Sequence, residues 1–172
     1  MVIPPNIMDI EASGFGPESY PIEIGLVQSN GQRFSRLIKP IPAWQFWCID
    51  AENVHGIKRE MLDQQGHSIK DVAKELNELL EGKKIYCDCW VVDKPWLDQI
   101  FIASRIKPLF SLSPLEAILP DEQMAHWQHS KEIVTRELNV RRHRASTDAL
   151  IIQQTYLKSL VMMNRPLEQF GG

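Results

Sequence analysis

The chain has little of what marks a secreted, membrane-spanning or duplex-gripping protein. Three cysteines, Cys48, Cys87 and Cys89, occur in 172 residues. An odd and small number of thiols argues against a disulfide framework. Cys87 and Cys89 lie in an apparent strand, which would turn both side chains the same way. A zinc site there would need further Cys or His at ligand spacing, and none is nearby, so the cysteines read as buried free thiols. No apolar run approaches the ~20 residues that cross a bilayer. The opening residues, Met-Val-Ile-Pro-Pro-Asn, lack the basic-then-apolar pattern of a secretory signal, which places the chain in the cytoplasm with no membrane partner. Repeats, low-complexity tracts and long linkers are also missing. Positive charge is not in excess: the net charge is −3 and the pI about 6.0. That disfavours an extended grip on duplex DNA, which needs many phosphate contacts. It leaves open the holding of a few nucleotides at one end, where metal ions supply local positive charge.

What is present is ordinary for a globular protein, with 44% hydrophobic and 24% charged residues. Such a chain is expected to fold as one domain, residues 1–172, around a sizeable core. Residues 5–10 read as a first strand. Pro21 to Gln28 has β-branched content and partial alternation, Ser29-Asn30-Gly31 is a turn, and Gln32 to Lys39 resumes an extended pattern. These make a three-stranded antiparallel start. Ser68 and Asp71 form a hydroxyl cap with an acid three residues later. Beyond them Ile69, Val72, Ala73, Leu76, Leu79 and Leu80 recur at helical spacing until Gly82. Lys84 to Trp90 reads as a buried strand, Pro95 to Arg105 as a helix with proline in its first turn, and Leu109 to Leu112 as a short fifth strand. Helices over 121–138 and 145–161 complete a β-β-β-α-β-α-β-α-α order, which suits a mixed sheet with helices packed on it.

Three separated pieces carry candidate chemistry. Asp9 and Glu11 are two apart on a strand and share a face. Adjacent carboxylates resist joint ionisation, and a divalent cation such as Mg²⁺, which accepts oxygen ligands, removes that conflict. Asp-x-Glu alone also fits the exposed face of an edge strand. His143 lies five residues before Asp148. A helix beginning near Ala145 puts Asp148 in its first turn, where negative charge is favoured, and His143 in the loop before it. A histidine there can take a proton from water near neutral pH, or merely belong to a surface loop among Arg141, Arg142 and Arg144. Between these pieces lies Asp93, followed by Lys-Pro-Trp-Leu.

In this order the pieces resemble the DEDDh 3′–5′ exonucleases, a family that includes polymerase proofreading subunits, ribonuclease T and oligoribonuclease. Asp9-Ile-Glu11 is similar to the first family motif, Asp93-Lys-Pro-Trp-Leu97 to the second and His143-Arg-Ala-Ser-Thr-Asp148-Ala149 to the third. Val54-His55-Gly56-Ile57, Met61-Leu62 and the helix from Ser68 extend the likeness over most of the chain. The resemblance implies a ribonuclease H-like α/β fold, a mixed five-stranded sheet flanked by helices. It also implies two Mg²⁺ or Mn²⁺ ions, with Asp9, Glu11 and Asp148 holding one, Asp9 bridging to the second, and Asp93 holding that second ion through water. His143 would take the proton from the attacking water. The substrate would be the 3′ end of single-stranded DNA or RNA, and the product a nucleoside 5′-monophosphate. Several relatives are dimers, so a homodimer is a possible state; whether a polymerase partner exists is unknown.

Two departures from the family pattern stand out. Ala12 replaces a threonine whose hydroxyl helps hold the terminal sugar, which would leave that contact to backbone N–H groups. Asp88-Cys-Trp-Val-Val92 replaces a His-Asn pair and an aromatic, which makes Asp88 a competitor of Asp93. Phe15 sits where ribonuclease T also has phenylalanine and could stack on the terminal base or belong to the core. His55 could approach the 3′ nucleotide or cap a helix. Arg144, with Arg141 and Arg142, could hold phosphates or solvate a loop. Trp44, Trp47 and Trp90 read mostly as core. Two rival functions are a non-catalytic nucleic-acid- or partner-binding module on this fold and a hydrolase of small phosphodiesters such as dinucleotides.

Overall fold

A computed structural model describes residues 2–140 and 142–164. The opening strands form as their alternation requires: β1 (Asn6–Ala12), β2 (Pro21–Val27) and β3 (Arg33–Leu37) pair antiparallel. Two short helices follow, α1 (Ile49–His55) and α2 (Arg59–Gln65). Neither is foreseen in the sequence, because each spans about two turns and has no side-chain cap. Gly56 ends α1 in a left-handed conformation, φ 68°, and its N–H bonds to the Glu52 carbonyl, a role glycine fills without steric cost.

Helix α3 (Ile69–Leu80) matches its apolar spacing, and Ser68 Oγ accepts the Asp71 N–H at 3.2 Å. Strand β4 is only Lys84–Cys87, shorter than the expected run to Trp90. Helix α4 (Trp90–Ser104) begins five residues before the expected Pro95. The start is hard to read because its N-cap, Cys89, makes no side-chain cap bond. Pro95 therefore sits inside the helix, where it leaves the Val91 carbonyl without an intrahelical donor; Val91 is exposed. The change also separates the thiols. Cys87 is buried at the end of β4, Cys89 is exposed and Cys48 is half-buried, so they are not all core groups. Strand β5 is Ser111–Pro114, two residues later than expected.

The expected helix over 121–138 is broken. After a 3₁₀ turn at Leu115–Ile118 come α5 (Asp121–Met124) and α6 (Trp127–Leu138). The buried Gln123 amide donates to the Tyr156 carbonyl and to Ser159 Oγ, which ties α5 to the last helix before the chain turns into α6. That helix, α7, is Ala145–Met163. Residues from Arg165 on lie outside the described residues. Among the described residues no helix is long and apolar enough to cross a membrane.

The strands form one five-stranded sheet in the order β3-β2-β1-β4-β5, with β1, β4 and β5 mutually parallel. Alternation on β1 divides the core. Met8 and Ile10 face α3 and α4, packing with Val72, Leu76, Leu97 and Ile100. Ile7 faces the other way with Val27, Ala149 and Ile152 of α7. Asp9 and Glu11 continue the Ile7 face, so they point toward α7.

Gly25 sets how near α7 comes. It pairs with Asp9 across the ladder, and the start of α7 crosses directly above it. A methyl group on Gly25 would overlap the Ser146 backbone nitrogen and the Ala145 carbonyl carbon. Backbone cannot rotate aside as a side chain can, so Gly25→Ala is expected to destabilise the fold by about 1–3 kcal/mol, measured by urea denaturation. Gly16→Ala, where nothing lies within 4 Å of the added carbon, is expected to leave stability nearly unchanged.

Candidate metal centre

Parallel β1 and β4 lie side by side, and both end toward the same edge of the sheet. In open α/β sheets the crevice beyond the carboxyl ends of such strands is where ligands bind. Asp9 and Glu11 reach this edge from β1, and Asp148 comes to it from the first turn of α7. One oxygen from each of Asp9, Glu11 and Asp148 lies within 4.8 Å of the others. A pocket of about 220 Å³ opens over them, lined also by Asp88, Lys131, Arg142 and His143.

Asp93 is recessed. It lies in the first turn of α4 and is only 3% exposed, beside the Ile10 N–H and the Cys87 thiol. Its Oδ2 is buried without a hydrogen-bond partner. The competing Asp88 does line the pocket, but its carboxylate is paired with Lys131 at 3.0 Å. Asp98 is a surface helix acid paired with Lys94.

The carboxylates resist ionising together. Burial, then the charges of Asp93, Glu11, Asp148 and Asp88, hold Asp9 well above the usual carboxylate range. Burial and the neighbouring Asp148 and Glu23 push Glu11 up to about 7, with Arg144 opposing. Burial and Asp88 push Asp93 to about 7. Burial also raises Asp148, while backbone N–H groups of His143 and Arg144 and the His143 side chain pull it down. An orphaned buried oxygen amid hard, mutually repelling oxygen donors is what a divalent cation such as Mg²⁺ relieves.

His143 stands in the loop before α7 with φ 62°, a left-handed conformation that is uncommon for a side-chain-bearing residue. This turn aims the loop so that His143 joins Asp148 in lining the pocket. Arg144, expected as a substrate contact, has another partner. Its Nε and one Nη donate to both oxygens of Glu23, at 2.6 Å for the shortest contact. Glu23 is 1% exposed and also accepts from Ser35 Oγ and the Ala145 N–H. The pair fastens the beginning of α7 to β2. Glu23 goes unremarked in the motif reading, although a carboxylate amid the apolar Pro-Ile-Glu-Ile-Gly-Leu-Val run was a visible signal. Lys131 carries no such signal, since only the fold brings α6 to the pocket.

The remaining candidates do not line this pocket. Phe15 is 72% exposed in the loop after β1. His55 is buried; its Nδ1 accepts the Ile57 N–H at 3.0 Å, and its Nε2, near the Ala12 backbone, has no completed hydrogen bond. Burial lowers its pKa, which keeps the ring neutral. Trp44 stacks on buried Tyr20 at 5.3 Å, Trp47 donates to Glu52, and Trp90, partly exposed, donates to the Leu112 carbonyl. Arg141 lies outside the described residues.

By sequence, no family model and no curated protein matches the chain. By structure, it is similar to E. coli exonuclease I. The complex with a dA16 oligonucleotide aligns with a TM-score of 0.69 at 15% identity, covering 92% of this chain and 41% of that one. The zinc-bound complex with single-stranded DNA gives 0.67 at 15% identity, covering 94% and 41%. A product-bound exonuclease I gives 0.68 at 14% identity, covering 91% and 43%. This chain thus spans less than half the length of those proteins. The likeness establishes the expected ribonuclease H-like fold.

Two outcomes follow from the electrostatics. Because Glu11 and Asp93 have raised values in the folded state, the metal-free folded chain binds more protons than the unfolded chain between the ordinary carboxylate range and about pH 7. Stability should therefore fall as pH rises through that window, and Mg²⁺ or Mn²⁺ should restore it more at pH 8 than at pH 5. Thermal melts at both pH values with and without the ion test this; equal stabilisation at both would contradict it. Arg144→Ala leaves the Glu23 carboxylate buried and uncompensated, with an expected loss of about 3 kcal/mol in urea denaturation.

Proposed function

We propose that this chain is a metal-dependent 3′–5′ exonuclease that removes nucleoside 5′-monophosphates from single-stranded DNA or RNA. One observation carries the reading: Asp9 and Glu11 of β1 and Asp148 of α7, distant from them in sequence, converge within 4.8 Å in a pocket that His143 also lines. The fold shared with exonuclease I supports it.

The donor set suits Mg²⁺ or Mn²⁺, since it offers hard carboxylate oxygens. In this reading Asp9, Glu11 and Asp148 would hold one ion, and Asp93 with Asp9 would hold a second. Two such ions, when bound, supply positive charge to the attacking and leaving oxygens of an in-line displacement. The protein's own groups do the rest. His143, in the loop before α7, takes the proton of the attacking water on an imidazole nitrogen and later gives it up to solvent. Asp148 accepts the Arg144 N–H at 3.2 Å, which holds that loop against the carboxylates. Exposed Phe15 offers a face for the terminal base, and base–aromatic stacking is tolerant of sequence. His55 and the backbone at Ala12 flank the terminal sugar. Arg144 acts indirectly: its pairing with Glu23 positions α7.

The test is degradation of 5′-labelled single-stranded DNA and RNA with Mg²⁺, Mn²⁺ or EDTA. A ladder shortening from the 3′ end is expected, absent with EDTA and with Asp148→Ala. His143→Ala should retain metal binding by calorimetry yet lose about 10²–10⁴-fold in kcat. Folded, metal-loaded protein that leaves both polymers intact would overturn the reading.

A further inference from the structure

The metal pocket, about 220 Å³, is smaller than the roughly 300–1,000 Å³ of pockets that enclose a whole small-molecule ligand. It accommodates a reacting phosphate and part of one nucleotide, so a polymer must continue across adjoining surface. A polar cleft of about 620 Å³ adjoins it, lined by Gln128, Lys131, Glu132, Thr135, Arg136 and Arg142. Lys131 and Arg142 line both cavities, which puts the two side by side.

The lining is one face of a helix. Gln128, Lys131, Glu132, Thr135 and Arg136 recur at the three- and four-residue spacing that stacks side chains along α6. Val134, on another face, is buried. Three cations meet one carboxylate, and Glu132 already accepts the Gln128 amide at 3.0 Å. Lys131 uses Asp88 as one partner, and an ammonium has three donors. Arg142 is half-exposed and stands 3.9 Å from Asp148, beyond hydrogen-bond range. Exposed Arg136 has no carboxylate within ion-pair distance among the described residues. A guanidinium left free in this way, as that of Arg136 is, suits phosphate oxygens.

We propose that this face of α6 is a second subsite that holds the internal phosphates of a single nucleic-acid strand whose 3′ end occupies the metal pocket. The inference rests on the exonuclease reading. It gives the chain a preference for oligomers over dinucleotides, and it needs only a few phosphate contacts, in keeping with the net charge of −3. Arg136 is the contact farthest along the helix from Gln128 and is free to pair with a phosphate.

The experiment compares wild type, Arg136→Glu, Arg136→Lys and, as a charge-matched control, Lys70→Glu on the exposed surface of α3. Anisotropy of fluorescein-labelled dT12 is titrated in EDTA at several salt concentrations, and kcat/KM is measured for dT12 and dT2 with Mg²⁺. Arg136→Glu should weaken dT12 binding several-fold and lower the salt slope by about 0.7 for the lost contact. It should also reduce the ratio of kcat/KM for dT12 over dT2, with Arg136→Lys restoring much of it and Lys70→Glu leaving it unchanged. Unaltered dT12 binding and an unaltered ratio in Arg136→Glu, or an equal loss in Lys70→Glu, would overturn the subsite. If the wild type cleaves neither substrate, the exonuclease reading fails, and the anisotropy still decides whether the cleft holds a strand.

Discussion

The close approach of α7 to the middle of β2 is the constraint on which the candidate site depends. Asp148 and His143 are more than 130 residues from Asp9 in sequence, and only the seating of α7 brings them together. That seating has two parts. Gly25 provides the missing side chain that lets backbone lie on backbone. Glu23, one alternation earlier on the same face, holds Arg144 and the Ala145 N–H. Small volume and a buried ion pair thus act at neighbouring same-face positions of one strand. Arg33 adds a polar contact from β3 to Ser146 and Thr147.

The seating concentrates negative charge. Asp9, Glu11, Asp93 and Asp148 each have an ionisation disfavoured by burial, and each of the first three is also disfavoured by its neighbours. A core would gain nothing from such a cluster, and a fold under selection for stability alone would replace it with apolar side chains. In a chain otherwise packed with Ile, Leu and Val, such a cluster is what a bound cation would offset. Lys131 and Arg142 line the same pocket and offset part of that charge, Lys131 beside Asp88 and Arg142 near Asp148.

Architecture and chemistry separate cleanly here. The parallel pair β1 and β4 makes a crevice at the strand ends, and the antiparallel β2 and β3 supply the platform on which α7 is fastened. A shared fold at 15% identity with exonuclease I shows how little of the sequence the architecture needs. Of the local departures, Asp88 lines the pocket and Ala12 is the buried last residue of β1. Asp88 is neutralised by Lys131, so an extra acid beside the cluster has a local counter-charge.

Much of this was legible in the chain because it is local. Period-two alternation located β1 to β3, and apolar spacing with a Ser68 cap located α3, since each depends on neighbours in sequence. The pairing of Asp9 with Glu11 on one face needed only strand geometry, and their likeness in order to Asp93, His143 and Asp148 pointed to one site. The start of α4 was missed because Cys89 makes no cap, and the break between α5 and α6 because it answers to contacts of Gln123 with α7. The sequence by itself determined which acids and which histidine are available and on which faces they stand. Only the tertiary structure decided that Arg144 serves Glu23, that Asp93 is recessed while Asp88 lines the pocket, and that a face of α6 adjoins it. Those outcomes depend on packing between elements distant in the chain, and local propensity and spacing contain no information about such distances.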